Sequence, residues 1–218
     1  MKVSILMLTY NAPKYVKESI LTLKENTKNI DYELIVLDNH SKFMTRRLLK
    51  KLEKKGLMDK LILSDKNLLF AKGNNVAFEA ASDSEYILLL NSDVKINSSN
   101  WLETLLKIHP KEGGISAFGA VDSEPIRADG YCLLIDKNLY EKYKLDETYE
   151  WWWGVTKLES MVLKEGKKIV AVRNHEEFIH HYGGKSGKGY KNAKGMDADR
   201  NEVKKWFDNN KVEIIDRL

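Results

Sequence analysis

Asn91 and Asp93 stand two positions apart, directly after the uninterrupted apolar run Ile87-Leu88-Leu89-Leu90. A run of that length suits a strand buried on both faces, as in a parallel sheet covered by helices. The carboxyl end of such a strand is where an open α/β sheet receives its ligand. Asp93 would offer a hard, anionic oxygen to a divalent cation there, and the cation would grip a diphosphate that a bare carboxylate repels. Taken alone, Asp93 would equally end the strand and cap the next helix. A second chemical feature is Trp151-Trp152-Trp153, preceded by Glu150. Indole faces stack on the C–H surfaces of sugars. Successive residues cannot all face one way, so one or two tryptophans belong in the core and at least one on a cleft. A third is the segment 185–195, where Lys185, Lys188, Lys191 and Lys194 mingle with Gly187, Gly189 and Gly195 in the composition of a flexible loop.

These groups need a frame. Apolar runs predict strands at 3–8, 32–37, 61–63 and 86–90. Between them, spacings of three and four predict helices at 15–23 and 45–55, and a Gly/Asn-rich loop at 66–75 leads into a third helix. Alternation of strand and helix builds a parallel sheet with helices on both faces, an α/β fold. The second half is less regular. It predicts helices at 101–108 (capped by Ser99 or Asn100), 137–143, 158–164 and 202–209, and strands at 115–121, 131–135 and 168–172. With no internal repeat and no long linker, 1–218 reads as one domain. Its parts are a regular first half (1–95), a less regular second half (96–190) and a C-terminal tail and helix (191–218).

Composition narrows the function classes. The 218 residues carry 36 Lys+Arg against 32 Asp+Glu, a net +4. That excess is too small for a nucleic-acid binder, yet it favours an anionic substrate or peripheral contact with an acidic membrane surface. A single cysteine, Cys132, excludes an internal disulfide framework and a cysteine-based zinc site; a reducing cytoplasm is the simplest compartment. No apolar run approaches the ~20 residues of a membrane span, and the short apolar start reads as a first strand, not a signal peptide. The loop Thr9-Tyr10-Asn11-Ala12-Pro13 lacks the Gly-x-Gly-x-x-Gly that cradles a dinucleotide pyrophosphate, which argues against an oxidoreductase.

Five segments, in order, are 3–11, 33–39, 67–75, Leu89-Leu90-Asn91-Ser92-Asp93, and His180-His181-Tyr182-Gly183-Gly184-Lys185-Ser186. Together this set resembles the family 2 inverting glycosyltransferases with the GT-A fold, and 67–75 is most similar to the branch of rhamnosyl- and related hexosyltransferases of surface polysaccharides. The resemblance implies a Rossmann-like, mostly parallel central sheet, with 1–95 as the nucleotide-binding half and 96–190 as the acceptor-binding half. It implies transfer of a sugar from a UDP- or dTDP-sugar to a hydroxyl of a glycan or lipid-linked acceptor, with Mn²⁺ or Mg²⁺ as cofactor. Thr9, Tyr10 and Asn11 would line the nucleoside pocket. Asp38 would accept from the ring N–H of uracil or thymine, with Asn39 beside it. Lys72 and Asn74 would flank the nucleotide around Gly73. Asn91, Ser92 and Asp93 match the Asp-x-Asp motif with Asn in its first place. Asp93 and His181, or its neighbour His180, would hold the metal, and the imidazole favours Mn²⁺. The lysine-rich 185–194 segment would close over the diphosphate as a lid.

One position departs from that pattern. The family carries a Glu-Asp pair just before the helix expected at 158, and its Asp is the general base. The matching residues here are Gly154 and Val155, and neither takes a proton. Glu150 and Glu159 are the candidate replacements, with Asp146 and Glu147 behind them; Trp152, Trp153 and Asp129 are the candidate acceptor contacts. The alternative is a weak or inactive member that only binds a nucleotide sugar or carbohydrate.

Overall fold

A computed structural model of the chain describes residues 2–218. In chain order the elements are β1 (Lys2–Thr9), α1 (Pro13–Asn26), β2 (Asp31–Asp38), α2 (Phe43–Glu53), β3 (Lys60–Leu63), α3 (Leu69–Glu79), β4 (Tyr86–Asn91) and β5 (Val94–Ile96). Then follow α4 (Trp101–Lys107), β6 (Gly114–Phe118), β7 (Ala120–Val121), β8 (Arg127–Ala128), β9 (Cys132–Asp136), α5 (Lys137–Tyr143), α6 (Trp153–Lys164), β10 (Lys168–Val172), β11 (Ile179–His181), α7 (Arg200–Phe207) and β12 (Glu213–Ile215).

Eight strands form one sheet in the order β12-β10-β6-β9-β4-β1-β2-β3. β1 lies parallel between β2 and β4, while β9 runs antiparallel to both of its neighbours, β4 and β6. Alternate side chains feed two cores, one per face. Val3, Ile5 and Met7 of β1 join Leu34 and Val36 of β2 beneath α1, α2 and α4. Leu6, Ile35, Leu37, Ile87 and Leu89 face the other way, toward α3, α5, α6 and α7. Each fully buried aliphatic side chain of this kind contributes about 1.5–3 kcal/mol.

Two antiparallel pairings decide where the site forms. Leu90 at the end of β4 pairs with Cys132 at the start of β9, so the segment entering β9 arrives beside Asn91–Asp93. His181 at the end of β11 pairs with Val94 of β5, one residue past Asp93.

Several local expectations change. α3 begins at Leu69, inside the stretch 66–75 read as a loop. Gly73 sits in that helix because a Cβ there would come within 3.0 Å of Leu8 Cδ1 and 3.2 Å of Asn39 Nδ2; it lets α3 rest on β1. The strand expected at 115–121 breaks at Gly119 (φ 101°) into β6 and β7. α6 starts at Trp153, so Gly154 and Val155 occupy its first turn instead of preceding it. Asp93 caps no helix, because the next element is β5. Residues 191–218 are no appendage: Val203, Trp206 and Phe207 of α7 enter the core, and β12 extends the sheet beside β10.

Candidate active site

A cavity of about 720 Å³ opens at the carboxyl ends of β1, β2 and β4. Its floor carries Asn91, Ser92 and Asp93 from the turn after β4. His181 Nε2 lies 3.3 Å from Asp93 Oδ1. The nitrogen is buried and lacks the alignment of a hydrogen bond with that oxygen or any other group. Burial pushes the Asp93 carboxyl upward, but His181 and the Lys185 backbone N–H, 3.3 Å from Oδ2, outweigh it and hold it below the usual carboxylate range. A carboxylate oxygen and an unengaged imidazole nitrogen facing one point suit a divalent transition metal. Among the described residues, no group of three or more His, Cys, Asp or Glu gathers as a metal cage, so the rest of a coordination shell would come from substrate and water.

The His181 ring is held from behind. Tyr131 stacks on it with centroids 4.1 Å apart and planes at 21°. The Tyr131 hydroxyl donates to His175 Nε2, and His175 Nδ1 donates to the carbonyl oxygens of Val172 and Arg173, 3.0 and 2.8 Å away. Gly119 is needed here, since a Cβ would meet the Tyr131 ring at 2.7 Å.

At the ends of β1 and β2, Thr9, Tyr10 and Asn39 line the cavity. Asp38 lies beneath that lining and is fully buried. Its Oδ1 receives the Thr9 hydroxyl at 3.3 Å, and its Oδ2 receives the Ser41 N–H at 3.1 Å and faces Arg46 Nε at 3.4 Å. Asn11 is also structural: its Oδ1 accepts from Lys42 N and its own N–H donates to Ser41 Oγ, which ties the loops after β1 and β2 together. Lys72 and Asn74 turn away from the cavity. Lys72 pairs with Glu147 on the surface, and Asn74 donates to Phe70 O within its own helix. The residues of that segment that do reach the cavity are Asn67 and Phe70. Asn67 stood inside the quoted motif, but no spacing rule separated it from its neighbours.

The opposite wall is Arg127–Tyr131 and Trp151–Val155. All three tryptophans touch the cavity. Trp153 is buried, with Nε1 donating to Met196 O, whereas Trp152 is 58% exposed at the mouth. Val155 is on this wall, pressed against Gly130, where a Cβ would come within 2.8 Å of Val155 Cγ2. Asp129 is on the wall as well, and burial raises its carboxyl although His181 and Arg127 pull the other way. Glu159 is fully buried behind it. Glu159 Oε2 accepts from Ala128 N at 2.9 Å, Oε1 has no partner, and burial pushes its carboxyl up to about 8. Neither replacement base foreseen from sequence reaches the cavity. Glu159 is sealed in by its helix, and Glu150 is spent on the segment above.

That segment, from Gly184 to Tyr190, roofs the cavity. Asn67 Nδ2 donates to Gly189 O, and Tyr190 stacks on Trp151 at 5.2 Å. Lys194 N donates to Glu150 Oε2 at 2.6 Å, and Glu150 N donates back to Lys194 O. The Glu150 carbonyl also receives the N–H groups of Phe70 and Ala71, capping α3. Glu150 is therefore a fastener between the roof and α3.

The architecture has known counterparts. S. aureus TarS (residues 1–349) superposes with a TM-score of 0.66 at 16% identity, over 96% of this chain and 71% of that one. A mannosyltransferase of Pyrobaculum calidifontis, solved with GDP-mannose and Mn²⁺, gives 0.64 at 15%, over 79% and 55%. At this identity the likeness shows the fold, GT-A, with its mostly parallel central sheet. Residues 4–166 match the family model described as glycosyl transferase family 2, and the chain belongs to that family. An uncharacterized glycosyltransferase of Methanocaldococcus jannaschii is 34% identical over 92 residues, 42% of this chain and 31% of that protein. One of Haemophilus influenzae is 28% identical over 118 residues, 54% and 36%. The chain thus spans about a third of the length of these curated relatives.

Proposed function

We propose that this chain transfers a hexose from a UDP- or dTDP-sugar to a hydroxyl of a glycan or lipid-linked acceptor, with inversion at the anomeric carbon. The observation that carries the reading is the Asp93–His181 pair, with an unengaged Nε2, on the floor of a cavity walled by indoles. Thr9, Tyr10 and Asn39 would receive the nucleoside, and Asp38 would serve it from beneath by fixing Thr9 and the Ser41 loop. Asp93 and His181 would hold Mn²⁺ or Mg²⁺, which when bound supplies positive charge to the departing diphosphate. The roof from Gly184 to Tyr190 would keep water from the reacting carbon. Trp151 and Trp152 would offer stacking faces to the acceptor sugar.

An acceptor embedded in a membrane fits the outer surface. Phe43 and Met44 are 73% and 65% exposed at the start of α2, at the carboxyl end of the sheet. Arg47, Lys50 and Lys51 follow on the same helix, so an acidic lipid surface would find both charge and apolar anchors there. Among the described residues no helix is long and apolar enough to cross a membrane.

Val155 on the cavity wall favours a second reading, a binding protein that has lost turnover. Nucleotide release from a panel of UDP- and dTDP-sugars, with Mn²⁺ and with chelator, separates the two. Metal-dependent release from one donor is expected. Tight metal-dependent nucleotide binding with no release, whatever acceptor is added, would instead establish the binding protein.

A further inference from the structure

The glycosyltransferase reading requires a group that removes the acceptor proton, and the first turn of α6 offers none. Gly154 has no side chain, and Val155 presents methyl groups to the cavity. Resting on that reading, we propose that Asp129, beside Val155 on the same wall of the cleft, is the general base of this enzyme.

Position comes first. Among the described residues, Asp93 and Asp129 are the only carboxylates that line the cavity. Asp93 faces His181 as the other half of the proposed metal pair, and its Oδ2 accepts from the Lys185 amide. Asp38 is sealed beneath the donor pocket with Arg46, Glu150 is fastened to Lys194, and Glu159 is buried behind Ala128. Asp129 belongs to the segment that antiparallel pairing lays beside the end of β4, where Asn91 N donates to Tyr131 O at 2.8 Å. It therefore stands on the tryptophan wall next to the Asp93–His181 floor, where donor carbon and acceptor hydroxyl would meet.

Orientation comes second. The backbone N–H groups of Gly130 and Tyr131 face the Asp129 carboxylate, which keeps lone pairs for a substrate. Its own N–H donates to Gly119 O at 2.9 Å. Gly130 lets the segment lie flat on Val155, which brings Asp129 next to the place where the family's base would stand. Arg127 on β8, His181 on β11 and Glu159 on α6 are the charged or titratable groups that act on it.

The step balances without a co-reactant. The acceptor oxygen forms a bond to the anomeric carbon, and the bond from that carbon to the β-phosphate oxygen breaks. Its electron pair leaves with the nucleoside diphosphate. The hydroxyl proton passes to the Asp129 carboxylate and is later lost to solvent.

The test compares wild type, Asp129→Asn, Asp129→Glu and the double variant Asp129→Asn/Val155→Asp. Transfer to a panel of octyl glycosides is measured alongside the affinity for UDP and dTDP with Mn²⁺. Asp129→Asn should lose kcat by ~10²–10⁴-fold, the usual worth of a general base, with nucleotide affinity unchanged. Asp129→Glu, which displaces the carboxylate by one methylene, should fall in kcat and not in binding. Val155→Asp should return part of the activity missing from Asp129→Asn. Asp129→Asn within threefold of wild type would overturn the assignment, as would a loss of kcat matched by a loss of nucleotide affinity. A wild type that binds nucleotide yet turns over no donor would sink the transferase reading itself, and the two failures are thereby told apart.

Discussion

On the donor side of the cleft, Thr9, Asn39 and Asn91 stand at or just beyond the carboxyl ends of β1, β2 and β4, three strands that run parallel in one sheet. On the acceptor side, Asp129, Tyr131 and His181 are placed by β9 and β11, which run antiparallel to their partners. The first arrangement is local, because an apolar run followed by polar residues announces both strand and site. The second depends on registers between segments far apart in the chain. Nothing in Arg127–Tyr131 alone states that it will lie beside Asn91. The pair proposed to hold the metal takes one side chain from each side, so substitutions can ask how far the two sides act as one.

Asp93→Ala should give the largest effect. It removes the donor-side half of the metal pair and should abolish Mn²⁺-dependent UDP binding, beyond the ~10–100-fold typical of an outer partner. The melting temperature should hold, because Asp93 supports no core contact. Equal UDP affinity in calorimetry with Mn²⁺ and with chelator, for both proteins, would remove the metal role from Asp93. Tyr131→Ala acts from the acceptor side through His181 alone. Without the stacked ring, 4.1 Å from the imidazole, His181 is free to turn, and Mn²⁺ affinity should fall ~10–100-fold. An unchanged Mn²⁺ titration would mean that the two sides are independent.

What was legible follows the same divide. The strands β1, β2, β4 and β10 and the helices α1, α2 and α4 show in their apolar periodicity, and the motif resemblance singles out Asp93 and His181, which the fold brings within 3.3 Å of each other. β5 and β11 have three residues each, too few for a period, yet they are what bring His181 to Asp93. Lys72 and Asn74 were misplaced because a motif gives sequence neighbours, whereas a helix turns successive side chains by about 100°. Asn67 and Phe70 therefore reach the cavity while Lys72 and Asn74 do not. Gly73, which the resemblance sets between Lys72 and Asn74 beside the nucleotide, serves the contact of α3 with β1. The roles of Glu150 and Glu159 were hidden because sequence shows a carboxylate and not its partners.

Glu159 yields a prediction about pH instead of rate. Its carboxyl is pushed from an ordinary 4.5 up to about 8 by burial. Below pH 4.5 the group is protonated in both folded and unfolded chains and costs nothing. Between 4.5 and 8 the unfolded chain releases the proton and the folded chain keeps it, so stability falls as pH rises. Above 8 the loss is complete, on the order of a few kcal/mol. Glu159→Gln keeps an oxygen for the Ala128 N–H and cannot ionise. Its melting temperature should exceed that of wild type at pH 8.5 and match it at pH 4.5. Parallel melting curves across that range would show that the carboxyl titrates normally.

Glu150→Gln should give the smallest effect. If Glu150 were the base that its place before Trp151 suggested, the variant would lose transfer by ~10²–10⁴-fold. In the structure its carboxylate instead holds Lys194 N at 2.6 Å, while its backbone carbonyl, which the substitution leaves alone, caps α3. The amide oxygen of Gln can still accept from Lys194. What is lost is the charge on one hydrogen bond at an exposed edge, worth about 1 kcal/mol. The roof would open more readily, so the KM for donor should rise a few-fold and kcat should hold. The same substitution that would silence a catalytic carboxylate thus becomes a mild lid variant, and the split between KM and kcat decides whether the roof is fastened from the acceptor side.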